Sequence, residues 1–240
     1  MLMGMSVLDC GCVHGRRPGC CEYCAEAQDM ERIQRFFDKD KPAKVRPAPD
    51  ARVAAIRAKI KASGATLPGD LAPFAALNAD PRVMEHFPAL LSREESDAMA
   101  ARIGAHFERH GFGLWAVEIP NVTSFAGFTG LSVPRFEAHF TPCVEIGWRL
   151  APEHWGLGYA QESARAVLDF AFATLGLDEI VSFTATGNLR SRRVIERIGM
   201  VRDPADDFDH PSLPEGHRLR RHVLYRMARP TYRGLFRARR

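Results

Sequence analysis

Between Glu145 and Ala160 the chain gathers residue types that can hold an anion. An extended run, Glu145-Ile146-Gly147-Trp148-Arg149-Leu150, ends at Ala151-Pro152. It then turns through Trp155-Gly156-Leu157-Gly158 and enters a helix at Tyr159-Ala160. A glycine-rich strand-to-helix turn exposes backbone N–H groups that nothing within the helix can satisfy, and the helix dipole adds positive potential there. Such a turn suits a phosphate. The expected donors are the N–H groups of Trp155 to Tyr159; a tight turn with ordinary glycines is an equally good account. A Walker loop is excluded because no lysine follows the second glycine. A dinucleotide fingerprint is excluded because it needs three glycines, usually in a first strand-helix unit.

A second chemical cluster lies at the start of the chain. Five of the six cysteines fall within residues 10–24, and Cys21-x-x-Cys24 has the spacing of a zinc-ligand pair, with His14 nearby. Cys20-Cys21 is awkward for such a site, so an unstructured run of free thiols is the competing expectation. The pattern is not that of a disulfide scaffold. Arginines 226, 229, 233, 237, 239 and 240 crowd the other end. They contribute to a net charge of +4 and read as a solvated basic tail over 230–240, with nucleic acid or an acidic protein as the rival partners.

These residues need a frame. At 240 residues, 26% charged and 46% hydrophobic, the composition is that of a globular chain. No apolar run approaches the roughly 20 residues of a membrane-spanning helix. The start is a poor signal peptide, and the expected location is cytoplasmic. Residues 26–37 are briefly helical in pattern, 39–49 form a charged, proline-broken linker, and 51–62 can form a basic helix. Regular patterning starts near Asp70. Leu71, Phe74 and Leu77 mark a helix, and Ser92 with Glu95 forms a capping-box signal for a second, ending near Gly111. Strands are predicted at 113–118, 125–131 and 143–150.

In the third strand Val144, Ile146, Trp148 and Leu150 share one face, and Cys143, Glu145, Gly147 and Arg149 the other. A helix from the glycine turn to Gly176, a strand at 179–184, a helix at 191–198, a long polar loop at 204–216 and a strand at 222–227 complete the order. Helices around a mixed sheet give an α/β or α+β layer architecture.

Several motifs then coincide. Asp70-Leu71-Ala72-Pro73-Phe74, Asn78-Ala79-Asp80-Pro81-Arg82-Val83-Met84, Glu145-Ile146-Gly147-Trp148, the glycine turn and Thr186-Gly187-Asn188-Leu189-Arg190-Ser191 stand in the order and spacing of one family. Over roughly 70–229 the chain closely resembles the GNAT N-acetyltransferase superfamily and, within it, the RimJ/RimL-like branch. The resemblance implies a mixed, mostly antiparallel sheet flanked by helices, with a V-shaped splay between two central strands. It also implies transfer of an acetyl group from acetyl-CoA to a primary amine by direct attack in a ternary complex.

On that resemblance the backbone of Ile146, Trp148 and Leu150 pairs with the pantetheine arm, and Trp155, Gly156, Leu157, Gly158, Tyr159 and Ala160 form the pyrophosphate loop. Asn188 offers its amide to the cofactor arm or caps the next helix. Ser191 donates a hydrogen bond to the departing thiolate or caps that helix. Tyr225 is a further thiol neighbour or a packing residue. Glu145 sits where a general base acts, within about 3 Å of the amine or through one water. A glutamate near its reference value of about 4.3 is a poor base unless burial raises it. The rival roles for Glu145 are orienting an ammonium group or pairing with Arg149. Trp115, Phe128 and Trp148 line the acceptor cleft or belong to the core.

The family opens with a strand just before Asp70, whereas residues 61–69 make no convincing strand, so the first strand is expected to be atypical or missing. The expected organisation is a poorly ordered cysteine-rich and basic extension at 1–62, an N-acetyltransferase domain at 70–229 and the tail. No resident metal, membrane or nucleic-acid partner is expected for the domain, the acceptor is a protein N-terminus or a small amine, and a homodimer stays open. The competing classes are a catalytically impaired CoA-binding protein and a zinc- or nucleic-acid-binding protein using the termini.

Overall fold

Local signals in the chain set the ends of its helices. The computed structural model describes residues 71–237; the cysteine-rich start, the linker, the basic helix and residues 61–69 lie outside them. Helix α1 spans Leu71–Ala79 and α2 spans Arg93–His110. The capping box forms as expected: the Glu95 N–H donates to Ser92 Oγ at 3.2 Å, and the Ser92 N–H donates to Glu95 Oε2 at 2.7 Å. Gly111, at φ 72°, closes α2 by donating its N–H to the Phe107 carbonyl. Phe74 and Leu77 of α1, Ala100 and Ile103 of α2, and Phe128 make one buried cluster.

Strand β2 (Thr123–Ser132) pairs antiparallel with β1 (Leu114–Ile119) on one side and β3 (Glu145–Leu150) on the other. Helix α3 (Tyr159–Ala173) leads to β4 (Glu179–Ala185), followed by α4 (Leu189–Arg197). Two-residue strands β5 (Val201–Arg202) and β6 (Phe208–Asp209) precede β7 (Arg221–Ala228) and the final helix α5 (Arg229–Arg237). The sheet order is β1-β2-β3-β4-β7-β5, with β6 also on β7. Only β3 and β4 pair in parallel. Helices α1 and α2 meet the sheet face that carries Phe128 and Arg149. Helix α3 packs on the opposite face, where Leu150 and Ala126 meet Tyr159 and Ala160. This is the expected mixed, mostly antiparallel sheet with flanking helices.

Two expectations are corrected. The stretch 204–216 is not all loop: it includes a short 3-10 turn at Pro204–Asp206 and the strand β6, with Arg202 paired to Asp207 alongside. Nor is the end a free tail through 230–240. Residues to 237 are helical, and Tyr232 is buried against Phe172, ring centroids 4.9 Å apart, with its hydroxyl donating to Asp169. One amphipathic aromatic decides that docking, whereas the arginines alone suggest solvation. Among the described residues no helix is long and apolar enough to cross a membrane.

Candidate active site

The centre of the sheet opens where β3 and β4 part. Every residue of β3 pairs with β2, from Leu150 opposite Gly127 to Glu145 opposite Ser132. Strand β4 is likewise committed to β7 along its whole length. Between β3 and β4 only Glu145 and Val181 are in register, with the Val181 N–H donating to the Val144 carbonyl at 2.9 Å. One residue further, the Ser182 hydroxyl, donating to the Ile146 carbonyl at 3.0 Å, takes the place of a ladder bond. Beyond that point the strands diverge. Main-chain groups alternate sides along a strand, so Trp148 and the Leu150 N–H face the opening.

This refines the expected docking edge. The Ile146 carbonyl is held by Ser182, and the Leu150 carbonyl accepts the Trp155 indole N–H at 2.7 Å. Trp148 is left as the predicted residue with both main-chain groups toward the gap.

The glycine turn lies at the same end of β3. Gly156 and Gly158 have φ of 77° and 89°, a left-handed conformation that side chains disfavour, and a Cβ at either would meet open space. Gly158 is the N-cap of α3 and supplies no side-chain bond to the helix; the first capping contact is the Glu162 N–H on the Gly158 carbonyl. The N–H groups of Tyr159, Ala160 and Gln161 thus have no intrahelical acceptor. The expected donor set shifts by one at its start: the Trp155 N–H is spent on the Pro152 carbonyl at 3.1 Å, closing the 3-10 turn. Trp155 instead shapes the turn, with its ring beneath the Arg190 guanidinium at 4.6 Å. Leu157 stands exposed at the tip.

A cavity of about 670 Å³ joins the glycine turn, the β3–β4 gap and Glu145. Glu145 accepts a hydrogen bond from the Ser132 hydroxyl at 3.2 Å and has no cationic partner among the described residues. Burial pushes its carboxyl up to about 7, against the smaller opposing effect of that bond. The expected alternative of a Glu145–Arg149 pair is not formed, because Arg149 points to α1 and bonds Asn78.

Asn188 is the N-cap of α4: its Oδ1 accepts the Ser191 N–H at 3.2 Å and its Nδ2 donates to Thr184 at 2.9 Å. Ser191 lines the cavity; it does not cap α4, and its hydroxyl makes no hydrogen bond among the described residues. Tyr225 is buried, donates to Glu196 at 2.9 Å and accepts from Arg192, outside the cavity lining. Trp115 is core, packed between Phe107 and Phe170, while Phe128 and Trp148 do line the cavity. Sequence reasoning missed the lining residues Arg193 and Arg197 of α4, His86 and Phe87 on the α1–α2 connection, and His210 and His222. Of these, only the arginines had a signal, their helical spacing along α4. Among the described residues no cluster of histidine, cysteine and carboxylate side chains is able to hold a metal ion.

Comparison with known proteins agrees with this geometry. A family model described as an acetyltransferase (GNAT) domain matches residues 65–201. The chain is 33% identical over 127 residues to the uncharacterized protein YkkB of Bacillus subtilis (strain 168), covering 53% of this chain and 73% of that one. It is 33% identical over 132 residues to the FsC-acetyl coenzyme A-N(2)-transacetylase of Aspergillus fumigatus, covering 50% of this chain and 55% of that one. Among solved structures it is similar to the acetyltransferase from Agrobacterium tumefaciens str. C58, with a TM-score of 0.54, 26% identity and coverage of 68% and 87%. The spermidine N-acetyltransferase from Vibrio cholerae in complex with CoA and spermine shares the fold, with a TM-score of 0.55, 22% identity and coverage of 70% and 95%. With the splayed sheet, the uncapped helix and the matched family model together, this chain belongs to the GNAT family, as an acyltransferase whose donor is acetyl-CoA.

Proposed function

We propose that this protein acetylates a primary amine by direct attack within a ternary complex, as a member of the RimJ/RimL-like branch. The observation that carries the reading is the single cavity joining uncapped main-chain donors, the β3–β4 gap and a carboxylate poised near neutrality. The N–H groups from Gly156 to Gln161 hold the diphosphate, and Trp148 pairs with the pantetheine arm. Acetyl-CoA supplies the acetyl thioester.

The chain's own groups do the rest. With its carboxyl at about 7, Glu145 is ionised in a large fraction of molecules at neutral pH and can take a proton from the amine. As the amine nitrogen bonds to the acetyl carbon, the carbon–sulfur bond breaks, and the Ser191 hydroxyl hydrogen-bonds the departing sulfur. Much of the acceleration comes from holding amine and thioester together. An amine acceptor is supported by the descriptions of two similar proteins, an N(2)-transacetylase and a spermidine N-acetyltransferase.

The test follows free thiol release from acetyl-CoA across a panel of peptides and small amines. Saturable release that depends on the amine supports the reading. Binding of acetyl-CoA with no release for any amine would instead make this a CoA-binding protein.

A further inference from the structure

Arg149 is the buried charged side chain in the cavity wall that the proposed chemistry leaves unused. It is buried, at 8% exposure, on the same face of β3 as Glu145. Its only hydrogen bond among the described residues runs from Nη1 to Asn78 Oδ1, and Asn78 in turn donates to Ser96 at 2.9 Å. Among the described residues no carboxylate neutralises it. The Phe87 ring lies 4.0 Å from the guanidinium carbon and the Phe128 ring 5.3 Å. These faces favour a cation but accept no hydrogen bond in the guanidinium plane.

Nε is buried with no partner. The edge formed by Nε and Nη2 is therefore the unsatisfied one, and it is the edge whose paired N–H groups match a carboxylate. Buried charges are ordinarily paired, because an uncompensated one costs several kcal/mol. A guanidinium held in a ligand cavity with that edge open suits an anionic ligand.

The rest of the wall agrees. Between Glu145 and Arg149 the strand carries Gly147, where a Cβ would meet only Glu145 Oε1, at 3.9 Å, so the floor between the two charges is open. Glu145 is the one carboxylate among the cavity-lining residues, while Arg82, Arg149, Arg190, Arg193 and Arg197 all contribute to the lining. Arg82 and Arg190 are paired with Asp80 and Glu85, whereas Arg149, Arg193 and Arg197 have no ion pair among the described residues. A polyamine, which needs several anionic contacts, meets a single carboxylate in this wall.

We infer that the acceptor is an aminocarboxylate, its amine at Glu145 and its carboxylate on the Nε–Nη2 edge of Arg149. This inference rests on the amine-acetylation reading above and narrows it. The chemistry requires a primary amine and a carboxylate within one small molecule. It disfavours diamines and polyamines.

The test compares ω-aminocarboxylates from glycine to 6-aminohexanoate with their amides, with alkylamines and with diamines of equal length, and includes spermidine. The readout is kcat/KM from thiol release by the full-length chain. Losing one charge-assisted bidentate contact weakens the transition state by ~10–100-fold, so at the best length the carboxylate should exceed its amide by that factor. Arg149→Met keeps the aliphatic stem and should erase the preference, so that the aminocarboxylate and its amide react with equal kcat/KM. The wild-type comparison stands even if that variant folds poorly. Equal rates for carboxylate and amide, or a diamine or spermidine as the best acceptor, would overturn the inference while leaving amine acetylation intact. Thiol release with no amine of any kind would bring down both.

Discussion

Glu145 has a serine hydroxyl for company and a carboxyl raised by burial to about 7. Its value in an unfolded chain is about 4.3. The folded state therefore keeps a proton that the unfolded chain releases, and stability falls as pH rises from about 4.3 to about 7. Below that window the group is neutral in both states and costs nothing. Glu145→Gln should melt with the wild type at pH 4 and above it at pH 8, a difference that thermal denaturation reads directly. In the same variant kcat should drop by about 10²–10⁴, and the wild-type rate should climb with pH to a plateau above about 7. An unchanged kcat in Glu145→Gln would remove the base role. Strand alternation placed Glu145 on one face with Gly147 and Arg149, and the family resemblance told which face meets the acceptor. Arg149 was not legible: its partner Asn78 is 71 residues away on another element, and local spacing carries no information about such a contact.

At the scale of elements, ends matter more than middles. Ser92 and Glu95 announced the start of α2 in the sequence because both partners lie within one turn. At Asn188 the sequence left the choice between cap and cofactor ligand open, and the geometry supplies the cap. Asn188→Ala should cost about 1 kcal/mol of stability, and Asn188→Ser should recover most of it because serine also caps. Chemical denaturation checks both. If acetyl-CoA affinity falls equally in the two variants, the Nδ2 amide has a separate ligand role. The β3–β4 splay is the element-scale feature that no local pattern encodes. Strand β3 pairs with β2 and β4 with β7 along their whole lengths, yet a single register pair joins the facing edges of β3 and β4. Resemblance to a known family predicted it; periodicity did not.

For the whole molecule, the layered class and the order of helices and strands along the chain followed from alternating patterns and turn residues, whereas the role of the C-terminus did not. Counting arginines suggested a solvated tail, yet Tyr232 seals α5 onto α3. Tyr232→Ala should destabilise the fold by about 3–5 kcal/mol, as expected for a buried aromatic, with a matching fall in melting temperature. We expect the acetyltransferase domain to be independent of the extension at 1–62. A chain begun near residue 63 should keep the thiol-release activity of the 240-residue chain, and loss of folding in the shorter chain would place part of the domain upstream.

The central claim is that main-chain donors at the start of α3, beside the parted strands, grip acetyl-CoA. Calorimetric titration of acetyl-CoA into the wild type and Gly158→Trp tests it most directly, with melting curves run on both proteins. A Cβ at Gly158 meets no protein atom within 4 Å; in the proposed binding mode a side chain there competes with the diphosphate. Since hydrogen bonds to charged groups contribute about 1.5–3 kcal/mol each, one-to-one binding in the wild type should weaken by more than about tenfold in a variant that still folds. Equal affinity in the two proteins would contradict the account.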